Sequence, residues 1–230
     1  MKDSSTDKAV GDAAYEVGRT IVAAVSAADG PLHVLCENAF QVPLDKRRQA
    51  WIQELACVVE ELQEKVDGLR PESLAQDEAF VTVALQASQV AMCNHRPEKL
   101  SALRNAVLNC ALPSAPSEDV QMVFLRLVDE LTPLHLRLLA FLDSPGELMQ
   151  CNEVVVEVSE SLCGVIEVCF PELAGQRNLY FQLVKDLQNR GLVAAGSYLQ
   201  TGMSGQGLRA PRTSDLGRRF LKYTSEPGTR

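Results

Sequence analysis

Aromatic residues are scarce in this 230-residue chain, at 5%, and Trp51 is its single tryptophan. That scarcity argues against a β-sandwich and suits helical cores of alanine, leucine and valine. Long apolar runs are missing too. The most apolar early stretch, TIVAAVSAA, stops at Asp29-Gly30-Pro31, far short of the roughly 20 residues a membrane helix needs. The opening MKDSSTDKAVGD is polar and acidic, which predicts no secretory signal. The seven cysteines (36, 57, 93, 110, 151, 163 and 169) form an odd set without a C-x-x-C pair. Most lie in apolar helical contexts such as LNCAL and EVCF. They are therefore expected as reduced core hydrophobes, with no disulfide and no zinc. Internal repeats and low-complexity tracts are absent.

What is present is ordinary for a globular chain. A hydrophobic fraction of 46% with 23% charged residues excludes general disorder. A soluble, cytoplasmic protein is expected. Its net charge of −8 conceals an asymmetry. From Ala174 to Arg230 there are nine Lys/Arg and three acids, a net of +6, which leaves −14 on the rest. An acidic body with a basic end favours an acidic partner at that end.

The periodicity predicts a mostly α protein. Residues 1–10 read as a disordered leader, 11–130 as a helical domain, 131–225 as a second domain and 226–230 as a tail. Helices are expected over Asp12–Ala28 and Leu32–Phe40. Pro43-Leu44-Asp45 then opens another, with Trp51, Leu55, Val58, Leu62 and Val66 on one stripe and Asp67-Gly68 at its end. Its opposite face, with Glu60, Glu61 and Glu64, reads as solvated. Further helices are expected from Pro71 to about Asn94, from Pro97 to near Pro113, after Ser117, and from the cap-then-proline start Thr132-Pro133 to Asp143. Ser144–Glu153 reads as a loop, EVVVEV as a strand and SESLCGVIEVCF as a helix.

The last fifty-five residues carry the clearest pattern. RNLYFQLVKDLQNRGLV is a helix closed by Gly191 and followed by a short Leu-Val strand. A glycine-rich tip, an extended return and a helix starting near Ser214 complete it. That last helix is expected to bury Leu216, Phe220 and Tyr223. Three helices with a small β-hairpin make a winged-helix-like domain, a variant of helix-turn-helix. LTPLHLRLLAFL, LVKDLQNRGLV and SDLGRRFL also resemble a group of uncharacterised bacterial proteins. The resemblance implies a helical N-terminal half and a C-terminal winged-helix-like module. It implies no activity and supplies no catalytic residues.

Signs of chemistry are few. Gly202, Gly205 and Gly207 lack the strand-then-helix context and the lysine of a phosphate cradle, so they read as a wing tip. His33 with Cys36, and Cys93 with His95, lack finger spacing. His135 reads as a packed or solvent-edge histidine. No enzyme activity, metal or cofactor is expected. On the helix from Arg177, the residues Leu179, Tyr180, Leu183, Val184 and Leu187 should face the core. The opposite arc carries Arg177, Asn178, Phe181, Gln182, Lys185, Gln188 and Asn189. With Arg209 and Arg212, the residues Arg177, Phe181, Gln182, Lys185, Gln188 and Asn189 form the candidate binding set. An exposed phenylalanine suits a protein interface, whereas Arg, Lys, Gln and Asn suit nucleic acid. A regulatory protein that contacts a protein partner is the favoured reading. The alternative is a DNA-binding regulator with a helical dimerisation or sensing domain.

Overall fold

The computed structural model describes residues 15–23, 32–65, 70–151 and 160–227. The expected leader, the EVVVEV strand, Val66 and the Asp67-Gly68 stop lie outside them, as do the side chains of His33 and Cys36. The described residues are mostly helical. By the packing of the backbone they fall into two compact units. One holds the chain up to Glu130 together with Lys222 onward, and the other spans Leu131–Leu221. Among the described residues no helix is long and apolar enough to cross a membrane.

The first unit is a helical bundle. Its elements are α1 (residues 15–23), α2 (Leu32–Lys65), α3 (Pro71–Leu74), α4 (Glu78–Cys93), α5 (Pro97–Cys110) and α6 (Glu118–Glu130). The α2 stripe turns inward, with Trp51, Leu55, Val58 and Leu62 all buried. Burying one such side chain is worth ~1.5–3 kcal/mol. Two sequence expectations fail here. The two separate helices around Pro43 are one continuous helix, and the single helix after Pro71 is interrupted. The first short piece ends at Leu74, and Asp77 caps α4, accepting from Ala79 N at 3.0 Å and Phe80 N at 3.2 Å. Nor is Glu61 a merely solvated acid, because it pairs with Arg104 of α5. The end of the chain belongs to this bundle. The Tyr223 ring meets Phe124 at 5.5 Å, and Asn109 Nδ2 donates to the Tyr223 and Ser225 carbonyls at 2.9 and 2.8 Å. That α5 amide satisfies two carbonyls that a helix C-terminus leaves open.

In the second unit, α7 (Pro133–Asp143) starts as Thr132-Pro133 predicts. Thr132 Oγ1 accepts from His135 N, and Thr132 N donates to His135 Nδ1 at 3.1 Å. That reciprocal cap makes His135 part of the helix start. The expected loop after Ser144 is instead α8 (Pro145–Cys151). Then come β1 (Glu160–Ser161), α9 (Leu162–Cys169), a 3-10 turn at Pro171–Leu173, α10 (Arg177–Asn189), β2 (Gly202–Met203), α11 (Gly205–Arg209) and α12 (Asp215–Thr224), whose residues from Lys222 on belong to the first unit. Gly191, at φ +71°, closes α10, with Leu192 N bonded to Leu187 O at 3.0 Å and Gly191 N to Gln188 O at 2.9 Å. Only glycine takes that backbone turn without strain.

The expected β-hairpin is much reduced. Val193 pairs with Thr213 as one antiparallel bridge, flanked by Ala194 N to Arg212 O at 2.8 Å and Ser214 N to Leu192 O at 3.0 Å. Beyond that base the chain departs from a hairpin. Gly202 and Met203 pair with Ser161 and Glu160, and the glycine-rich tip winds into α11, capped by Ser204. α12 starts where Ser214 predicts and buries Phe220 and Tyr223, while Leu216 is half-buried. The cysteines are less uniform than their sequence contexts suggest. Cys163 and Cys169 are buried, Cys110 is half-buried, and Cys57, Cys93 and Cys151 are exposed.

Candidate functional site

The face of α10 follows from its 3.6-residue period. Tyr180, Leu183, Val184 and Leu187 point inward and are buried. Leu179, expected with them, is 42% exposed instead. It sits one position ahead of Tyr180, at the edge of the apolar arc, and Tyr180 takes the buried place. Arg177, Asn178, Gln182, Lys185 and Asn189 are exposed, whereas Phe181 and Gln188 are half-buried.

A wall rises beside this face. Gln188 Nε2 donates to Ala194 O at 3.1 Å and to Gly196 O at 3.0 Å, which ties the segment after α10 back over the helix. Helix and segment enclose a groove of about 560 Å³, within the ~300–1,000 Å³ range of ordinary ligand sites. Arg177, Phe181, Gln182, Lys185 and Gln188 line it together, opposite Gly196, Ser197, Leu199 and Gln200. Five of the eight sequence candidates thus share one concavity. Asn189 stays on the exposed part of α10 outside the lining. The sequence carries no signal for the opposing wall, whose residues lie between the short Leu-Val strand and the glycines of the tip.

Arg209 and Arg212 lie elsewhere. Arg209 is exposed at the end of α11, where Nη1 donates to Gly205 O at 3.3 Å. Arg212 does not belong to a contact face, since it is only 8% exposed. Its guanidinium donates to Ala210 O at 2.6 Å and Gly207 O at 2.7 Å, and lies 5.4 Å from the Tyr198 ring centroid. The physical reason is α11 itself, a short helix whose last carbonyls need donors. Burial holds the Arg212 pKa below its ordinary value, with Tyr198 opposing.

Among the described residues the charges at the groove are Arg177 and Lys185, and none of those lining it is a carboxylate. Arg177 leans on Glu167 of α9, Nε to Oε1 at 3.4 Å. Glu167 also accepts from the Tyr180 hydroxyl at 2.9 Å, and that bond leads the causes holding its carboxyl below the usual range. Lys185 makes no such pair among the described residues, so it is the groove's more available cation. Gln182 Nε2 donates to Asp186 Oδ1 at 2.7 Å. Asp186 in turn lies 3.7 Å from His135 Nε2, beyond hydrogen-bond length. His135 is 7% exposed. Burial keeps it below the ordinary imidazole range, while Asp186 pulls the other way. Its Nδ1 already accepts from Thr132, which makes this ring a structural cap.

The groove therefore offers a guanidinium, an ammonium, side-chain amides and a hydroxyl around one phenyl ring. Such a set recognises polar backbone and acidic groups and gives an apolar side chain a seat. Among the described residues there is no cluster of three or more His, Cys, Asp or Glu that could hold a metal ion. Compared with protein-family models, curated proteins and solved structures, the chain matches none.

Proposed function

We propose that this chain is a non-enzymatic, cytoplasmic interaction or regulatory protein of bacterial type, whose C-terminal unit is a winged-helix-like module that receives a protein partner at α10. The observation that carries the reading is Phe181, half-buried in a groove bordered by Arg177 and Lys185. Aromatic anchors in desolvated pockets dominate protein interfaces, and rim charges contribute little. The winged-helix-like assignment is supported by the sequence of α9, α10, the Val193–Thr213 bridge and α12.

DNA binding is the rival reading, and the net +6 of the C-terminal segment is what favours it. It is weakened by Arg212, whose donors are spent internally, and by Arg177, which is partly neutralised by Glu167. One experiment separates the two. Partners captured on the full chain are compared for wild type and Phe181→Ala, alongside duplex gel shifts at several salt concentrations. Loss of the aromatic anchor should cost the protein complex about 2 kcal/mol, roughly thirtyfold in Kd. Submicromolar duplex binding at physiological salt, unchanged by Phe181→Ala, would establish DNA binding instead.

A further inference from the structure

A second cavity, of about 400 Å³, lies in the first unit, where α2, the end of α4 and the start of α5 meet. Its apolar lining is Ala50, Trp51, Ala91, Pro97 and Leu100. Trp51 is buried and held in place, with Nε1 donating to Ser88 Oγ at 2.8 Å and Ser88 Oγ donating to Ala84 O at 2.6 Å. Asn94 is fixed as well, its Nδ2 donating to Val90 O at 2.8 Å. The walls are set before any ligand arrives, which lowers the entropy lost on binding.

The charges on this lining do not cancel locally. Among the described residues that line it, Glu54 is the one carboxylate, and it already accepts from Arg104 Nε at 3.1 Å. Arg104 is further paired with Glu61. Arg47 is different. It is half-buried, its Nη1 makes one long bond of 3.4 Å to Met92 O, and it pairs with no carboxylate among the described residues. A guanidinium carries five donors in a planar fork that matches a carboxylate or phosphate two bonds at a time. Exposed His95 stands on the same rim.

We propose that this cavity binds a small aromatic anion, with its carboxylate or phosphate on the Arg47 fork and its ring against Trp51, Pro97 and Leu100. Carboxylate and phosphate share the recognising chemistry, and the choice between them is made by titration.

Trp51 is the only tryptophan in the chain, so intrinsic fluorescence of the intact protein reports on this cavity. The probes are benzoate, phenyl phosphate and, as an uncharged analogue, benzyl alcohol, with calorimetry run in parallel. At least one anion should bind saturably with a Kd below ~1 mM, and benzyl alcohol at least ~10-fold more weakly. Arg47→Met should weaken the anion by at least ~10-fold without changing the thermal unfolding midpoint. Arg47→Lys, which keeps the charge and loses the fork, should fall between the two. The proposal is overturned if calorimetry detects neither anion at about 10 mM. Equal affinity for benzyl alcohol, or unchanged anion binding by a folded variant at position 47, would overturn it as well.

Discussion

Arg212→Met tests whether the arginine holds the fold together or meets a partner. Methionine keeps much of the apolar stem and removes the guanidinium. Two short charged hydrogen bonds disappear, to Ala210 O at 2.6 Å and Gly207 O at 2.7 Å. Each is worth ~1.5–3 kcal/mol net. The contacts at 3.4 Å to Leu208 O and 3.2 Å to Met203 Sδ add little, and stacking over Tyr198 adds ~0.5–1 kcal/mol. Against this stands the desolvation of the charge, the same burial that lowers its pKa. The net expectation is a loss of about 2–4 kcal/mol, which at an m-value near 2 kcal/mol/M moves the urea midpoint by about 1–2 M. Circular dichroism during urea unfolding measures it, with exposed Arg209→Met as a control expected within about 0.5 kcal/mol of wild type. A midpoint unchanged in Arg212→Met, together with weakened partner binding, would return Arg212 to the contact surface and refute the structural argument.

Gly217→Ala should destabilise by about 1–3 kcal/mol, because a Cβ there would sit 2.1 Å from the Leu192 carbonyl oxygen and the backbone must move. A urea midpoint equal to wild type would disprove that close approach. Asp77→Ala should cost about 1 kcal/mol through loss of the α4 cap, and Asp77→Asn should retain most of it. His135 has a folded-state pKa below the unfolded value near 6.5, so its neutral form stabilises the fold above that pH. That contribution is lost as pH falls from about 6.5 through the folded pKa. Thermal midpoints from pH 7.5 to 5.5 should decline less in His135→Gln than in wild type, and parallel declines would remove His135 as the cause.

The features legible in the sequence are those decided within one or two helical turns. The Trp51–Leu62 stripe, the Thr132-Pro133 cap and the Gly191 stop each depend on neighbours three to five positions away, where period and capping chemistry operate. The groove-facing side of α10 was legible for the same reason. Its opposing wall was not, because the Gln188 bonds that fold residues 194–196 over the helix leave no compositional trace. Tyr223 carries an equally silent relation, with its ring partner Phe124 about a hundred positions earlier.

Arg212 is the instructive failure, since the carbonyls that its guanidinium meets all lie within five residues. Gly205 and Gly207 disfavour a helix by ~1 kcal/mol each relative to alanine, so the local reading is a flexible tip. A tip leaves a nearby arginine free for a partner. Ser204 and Arg212 reverse that preference by closing the two ends of α11, one accepting from Gly207 N and the other donating to the final carbonyls. The short helix and the burial of Arg212 thus rest on the same hydrogen bonds. Reading the arginine as a surface charge and reading the glycines as a loop were the same error. Ser204→Ala removes only the N-terminal closure, so the same urea unfolding series should record a loss of about 1 kcal/mol for the single cap, smaller than that of Arg212→Met.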